Sequence, residues 1–342
     1  MPYLYLTDSS CKLGFRAGLV IVANPASDCE VEIPFSRVEG ISIFGMSQVS
    51  TKLIRECISA DIPILYYSEN GHYFGSINSS NHIDPILHRK QMLLMDDASF
   101  CLEWSKSIVS AKIANSMTLL KSYSGMYVFK DSELQGLNHS LGMLPMADSL
   151  NMILGLEGNA AKNYFSLLPR LIRGEEFVFK GRSSRPPKDP FNSMLSFGYS
   201  ILFRNIIGAI ERHGLHPYFA FMHRLKLGHA ALASDLIEEY RAPIVDKTVL
   251  DLVNGGELDV SGFYRNDAGA IYMDRRTMGL LTDALSDAIA KNRHYYLAWG
   301  DRKAYGFQVM LDKKLAALKA AIEAQDVRLY KPFIWKPEDG VE

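Results

Sequence analysis

The apolar positions of the chain change rhythm near residue 80. Before that point they fall in short runs rich in β-branched and aromatic residues, at 3–6, 19–23, 41–44, 62–67 and 73–77, punctuated by Gly14, Gly40, Gly45 and Asn70-Gly71. Runs of this length bounded by glycine predict strands, and Asn-Gly between the last two predicts a hairpin turn. One helix over 48–60 interrupts them, with Val49, Leu53, Ile54 and Cys57 at helical spacing. After residue 85 the apolar residues recur with a helical period, over 86–125, 146–172, 191–213, 218–240, 274–296 and 302–325. The polar stretch NSSN at 78–81 opens a linker. The pattern predicts an α+β chain: a small β-rich domain over 1–77, a linker over 78–85 and a larger all-α domain over 86–328. In the tail, 329–342, Pro332 and Pro337 argue against helix.

Composition narrows the class. With 342 residues, 48% hydrophobic and 22% charged, disorder, collagen-like sequence and a disulfide scaffold are excluded. A formal net charge of −1 excludes a uniformly basic nucleic-acid binder. The charge is uneven, however: residues 1–88 carry −4 and the rest +3. Cys11, Cys29, Cys57 and Cys101 have no C-x-x-C spacing, so free thiols in a reducing cytoplasm are expected. The N-terminus lacks the layout of a secretory signal, and no apolar run is long enough to suggest a membrane span.

Three polar positions break the helical pattern. Glu157 has Ile153, Leu154, Ala160, Ala161 and Tyr164 as same-face neighbours, so its carboxylate must be protonated, paired, as in a buried Glu–Arg structural pair, or bound to a metal. Gly158 beside it allows close approach of another backbone or a ligand. His223 sits among Phe219, Ala220 and Leu227 on the 218–240 segment, as a bonded core histidine or as a ligand. Asp235, Glu238 and Glu239 form an acidic cluster, either a solvated patch capped by Arg241 or carboxylates gathered around a cation. One imidazole with acidic oxygens suits Mg²⁺ or Mn²⁺. His223 and Glu238 would lie ~22 Å apart on one straight helix, so the segment must break, and Gly228 is the expected break.

Residues 162–188 form a basic stretch of net +5, with Lys162, Arg170, Arg173, Lys180, Arg182, Arg185 and Lys188 against Glu175 and Glu176. Tyr164, Phe165, Phe177 and Phe179 interleave with them. Cations attract a phosphate backbone and ring faces stack on splayed bases, so the stretch reads as a DNA surface or as a solvated loop. GRSSRPPKDP is an extended loop, and Asp189-Pro190 marks the start of the next helix.

Four blocks carry a resemblance. LGLEGNAAKNYF (154–165), RSSRPPKDPFNSMLSFGYSIL (182–202), GLHPYFAFMH (214–223) and SDLIEEYRAP (234–243) resemble, in order and at compatible separations, the signature blocks of the CRISPR-associated integrase, the metal-dependent DNA endonuclease of spacer acquisition. The resemblance implies that Glu157, His223 and Glu238 bind Mg²⁺ or Mn²⁺, with Asp235 a supporting acid at the catalytic site. It implies that the 185–192 stretch helps hold DNA; Lys162, Arg170, Arg173, Arg182, Arg185 and Lys188 are the DNA contacts expected from the charge of the basic stretch. It further implies a homodimer paired through the β domains, and assembly of two such dimers with a dimer of a small ferredoxin-like partner protein. The substrates would be double-stranded DNA, a prespacer and a CRISPR repeat, joined by transesterification from a 3′-OH. His216 and His229 depart from the family pattern at positions that are not ligands. Two other readings remain: a general metal-dependent DNA nuclease or junction resolvase, and a non-catalytic DNA- or protein-binding adaptor.

Overall fold

The computed structural model describes residues 3–25, 28–173, 176–290 and 305–336. Two four-stranded sheets form the N-terminal part. The first has strand order β1 (Tyr3–Leu6), β5 (Gly40–Phe44), β7 (Ile64–Tyr67) and β8 (Tyr73–Ile77). β1, β5 and β7 are mutually parallel, and β8 closes as an antiparallel hairpin. The second runs β4 (Cys29–Pro34), β3 (Leu19–Asn24), β2 (Lys12–Arg16) and β6 (Gln48–Val49). The expected hairpin forms at Asn70-Gly71, where Gly71 has φ +80°, a backbone position that suits glycine.

Alternation along β5 and β7 divides two cores. Ile41, Ile43 and Ile64 join Leu13, Val20, Leu53 and Cys57 between the sheets. Phe44, Leu65 and Tyr67 point the other way and join the core of the helical part. Strands buried on both faces read as continuous apolar runs, which is why these two stood out in the sequence. Helix α1 (Thr51–Ser59) starts at the Ser50 cap, so 48–49 of the expected helix pair as strand instead.

The helical part contains α2 (Pro85–Leu94), α3 (Ala98–Ser122), α4 (Asp131–Met143), α5 (Leu150–Leu167), α6 (Pro190–Arg212), α7 (Ala231–Ile237), α8 (Lys247–Asn254), α9 (Arg275–Ala290) and α10 (Phe307–Ala324). The expected 86–125 helix divides because the Asp97 carboxylate caps a new start at Ser99 and Phe100. β9 (Phe263–Arg265) and β10 (Ile271–Met273) form a small hairpin in the region expected to be all helical. Residues 291–296 and 302–304 of the last two expected helices, Glu175, and 337–342 of the tail lie outside the described residues.

Helix α6 is the hub. Asp189 caps it by accepting from Asn192 N at 2.7 Å, and Pro190 occupies its first turn. By length and composition alone it could cross a membrane, but 72% of its apolar window is buried inside the protein, as in a core helix. It carries Phe197 onto Phe44 of the β-sheet (5.7 Å between rings) and Arg204 onto Tyr73 (3.3 Å). A Cβ on Gly198 would stand 2.6 Å from Val245, so glycine sets how closely α6 approaches the following helical layer.

The largest correction concerns 218–240. His223 lies in an irregular segment ahead of α7, not on a helix, and Leu227 is fully exposed rather than packed beside it. Gly228, with φ +71°, turns the chain at a short Lys226–His229 pairing. The tail docks on the body: Tyr330, Phe333 and Trp335 are buried, and Trp335 N donates to Asn115 Oδ1 at 2.8 Å. All four cysteines are free thiols, as expected.

Candidate active site

The three acids of the SDLIEE turn are all buried, and each faces a different environment, so the solvated acidic patch is excluded. Consecutive positions on one turn of chain project about 100° apart, so neighbouring carboxylates reach different elements. Glu239 turns to the tail and accepts from Tyr330 OH at 2.5 Å and from Phe333 N; burial pushes its carboxyl up to about 7.

Asp235, fully buried, organises the 221–223 segment. Its Oδ2 accepts from Phe221 N, Met222 N and the Trp104 indole, each at 3.0 Å. Its Oδ1 accepts from His223 N at 2.9 Å and faces His223 Nδ1 at 2.8 Å. Burial works against a charged imidazole, yet the bond and charge of Asp235 outweigh it and raise the His223 pKa. With Nδ1–H on the carboxylate, Nε2 presents a lone pair, the usual way a histidine is oriented toward a metal. Three backbone donors and an indole replace the helix that the sequence suggested as the support of His223.

Glu157 and Glu238 come from α5 and from the residue after α7, and they meet across one cation. Lys112 of α3 pairs with Glu157 and lies 2.6 Å from Glu238 Oε2; Arg241 holds Glu238 Oε1 at 3.0 Å. Burial opposes the Glu238 charge, but Arg241 and Lys112 outweigh it and draw the carboxyl down to about 2. The face expected around Glu157 is confirmed by buried Ile153, Ala160 and Tyr164. Gly158 is not a close approach: a Cβ there would meet nothing.

The donor chemistry fits a hard divalent cation. Two carboxylates from separate elements converge on one cation position, which the Lys112 ammonium fills, 2.6 Å from buried Glu238 Oε2. Among the described residues, no three His, Cys, Asp or Glu side chains stand together ready to hold an ion. The structure thus brings Glu157 and Glu238 together, joins His223 to Asp235, and places Lys112 where the resemblance puts a metal. Sequence reasoning missed Lys112, although it is the single charged residue between 107 and 120 in a run of buried apolar positions.

Beside the carboxylates lies a cavity lined by Lys112, Tyr164, Tyr199, Glu238, Arg241 and Asp246. Asp246 ends a π-helical turn over 241–246 and accepts from Tyr199 OH at 2.5 Å and Tyr164 OH at 2.7 Å. Burial raises its carboxyl from 3.8 to about 6, against the Tyr199 and Tyr164 bonds and the charges of Arg241 and Arg182. Between those pH values the folded chain holds a proton that the unfolded chain has lost, so stability falls as pH rises through that window. Asp246→Asn is expected to flatten this fall, read as urea midpoints from pH 4 to 7; an unchanged slope would contradict the assignment.

The basic stretch divides. Lys162, Arg173, Arg185 and Lys188 are exposed. Arg170 is tied to Glu133 and to Tyr127 OH (2.6 Å). Arg182 turns inward to Ser183 O, Asn192 Oδ1 and Ser196 Oγ at 2.7–3.1 Å. Tyr164, Phe177 and Phe179 are core residues, not stacking platforms, because the segment folds back on α5 and α6. His229 bonds Ser234 Oγ at 2.9 Å, and His216 stacks on Phe219 at 4.0 Å.

Comparison with known proteins agrees with this architecture. The family model described as CRISPR associated protein Cas1 matches residues 4–287. The CRISPR-associated endonuclease Cas1 of Mycobacterium tuberculosis (strain ATCC 25618 / H37Rv) is 41% identical over 325 residues, covering 95% of each chain. Among solved structures, a casposase bound to integration product superposes with TM-score 0.83 at 22% identity, over 99% of this chain and 96% of that one. A chain of a Cas6-RT-Cas1–Cas2 complex superposes with TM-score 0.79 at 22% identity, over 99% of this chain and 36% of the other. The chain belongs to the Cas1 family of CRISPR-associated proteins, whose curated relatives are endonucleases.

Proposed function

We propose that this Cas1-family chain is a metal-dependent DNA endonuclease and integrase of CRISPR adaptation, which joins the 3′-OH ends of short prespacer duplexes into a CRISPR repeat by transesterification. The observation that carries the reading is the meeting of Glu157 and Glu238 from separate elements, with the oriented His223–Asp235 pair on the adjoining segment. Glu157, Glu238 and His223 would hold Mg²⁺ or Mn²⁺, which supplies Lewis acidity at the phosphoryl oxygen. Asp235 fixes the 221–223 backbone and the imidazole tautomer. Arg241 keeps Glu238 ionised from the side away from Lys112. Water in place of the 3′-OH gives hydrolysis at the same site.

Residues 1–77 serve as the β domain that pairs two chains, 78–85 as linker and 86–328 as the catalytic domain. The open edge strand β4, with Val31 half exposed, and exposed Met46 support pairing through the β part. A small ferredoxin-like partner dimer bridges two such dimers, in the reducing cytoplasm. The likeness to a chain of the Cas6-RT-Cas1–Cas2 complex, an assembly that includes Cas2, supports a second protein here. The test is to supply prespacer and repeat DNA with Mn²⁺. Joined products support an integrase, cleavage alone indicates a general nuclease, and neither, with no metal-dependent rise in melting temperature, indicates an adaptor.

DNA contact falls to the exposed cations. Neutralising Arg185 and Lys188 together is expected to weaken duplex binding and reduce the slope of log affinity against log salt by about 2. Arg182→Ala is expected to lower the melting temperature instead, because its guanidinium is bonded inside. An unchanged salt slope in the double variant would reduce the segment to a solvated loop.

A further inference from the structure

We propose that the Lys112 ammonium is a built-in stand-in for the divalent ion: it occupies the cation position between Glu157 and Glu238, and ion binding expels it from there. The inference rests on the metal site of the preceding reading and concerns a residue that reading does not use. Lys112 is set in a helix where Ile108, Val109, Ala111 and Ile113 are buried, so its charge needs a partner in the interior. It has two, from two other elements, Glu157 and Glu238. With Arg241 on the far oxygen of Glu238, two carboxylates face two cations and the four groups together are neutral. Adding a divalent ion while Lys112 stays would leave two units of excess positive charge.

One of the two cations must therefore leave, and the structure distinguishes them. Arg241 is held by its bond to Glu238 and by stacking on Tyr199 at 4.7 Å between guanidinium and ring. Lys112 sits on a flexible four-carbon stem whose side chain keeps 17% of its surface open to solvent. The stand-in also accounts for the lack of a ready group of three ligands among the described residues. With Lys112 in place, the carboxylates are drawn onto the ammonium rather than arranged around an ion that His223 shares.

The test uses Mn²⁺ alone, without DNA. Calorimetric titration of the Lys112→Met variant is expected to give about tenfold tighter Mn²⁺ binding than the unaltered chain at the same stoichiometry, since no internal cation competes. Its melting temperature in EDTA should be lower and should recover with Mn²⁺. Lys112→Arg should bind Mn²⁺ more weakly than the unaltered chain. A readout independent of any variant is amine acetylation followed by mass spectrometry: Mn²⁺ should raise labelling of Lys112 severalfold. Equal or weaker Mn²⁺ binding by Lys112→Met, or labelling unchanged or reduced by Mn²⁺, overturns the inference. The metal reading survives that result if the unaltered chain binds Mn²⁺ and Glu157→Gln does not. Absence of Mn²⁺ binding in both the unaltered chain and Lys112→Met overturns the metal reading and the inference with it.

Discussion

Glu238→Gln is expected to abolish Mg²⁺- or Mn²⁺-dependent strand joining and cleavage, a loss of at least ~10³-fold, while the chain stays folded. The amide keeps the volume of the carboxylate and one oxygen for Arg241, so the loss reports the missing charge at the cation position. Alanine is the poorer probe, because deleting one side of a buried ion pair costs about 3–5 kcal/mol and would mix unfolding with catalysis. Glu157→Gln should lose joining to a similar extent with a smaller stability change, since Glu157 keeps 24% of its side chain exposed while Glu238 keeps 6%. The assay is joining of a labelled prespacer to a repeat duplex, with circular dichroism as the folding control. Normal joining by Glu238→Gln would remove it as a ligand.

Asp235→Ala should have the largest effect on stability, at least about 3 kcal/mol by urea unfolding at neutral pH. Its carboxylate serves three backbone N–H groups, an indole and an imidazole inside the protein, and alanine leaves those donors without an acceptor. The His223 imidazole should titrate at lower pH in the variant, followed by NMR, because the group that raises its value is gone. The sign of the pH dependence follows. A raised histidine contributes stability that is present below its unfolded value and is lost as pH rises through the folded one. The gap between the unaltered chain and Asp235→Ala should therefore narrow as pH rises from about 5 to 8. A gap that widens over that range, or a His223 titration left unchanged, would mean that the contact is not formed in solution.

The residues that the site uses were legible to different degrees. Glu157 stood out because one helix face carries its whole neighbourhood, and α5 does present that face to the core. His223 stood out for a wrong reason: the apolar spacing of 218–227 imitates a helix, while the chain there is irregular and its backbone donors go to Asp235. Asp235 was expected only as a supporting acid beside the ligands, yet it organises the loop. Lys112 escaped notice because a lysine between apolar residues on a long helix is commonly a solvated stem, and its partners lie 45 and 126 positions away.

By itself the sequence determined the succession of β-rich and helical parts, the Asn70-Gly71 hairpin, the Asp189 cap of α6, the free cysteines and, through its four signature blocks, the family. These are local properties: burial alternation, turn chemistry and capping act over a few residues, so they can be read from neighbours in the chain. Only the tertiary structure decided that three successive acids serve three separate purposes, that the basic stretch keeps Arg182 and its aromatics inside, and that an ammonium stands between Glu157 and Glu238. Those outcomes depend on charges and donors meeting across elements distant in sequence. Their energies are set by burial and by the partner that packing brings opposite.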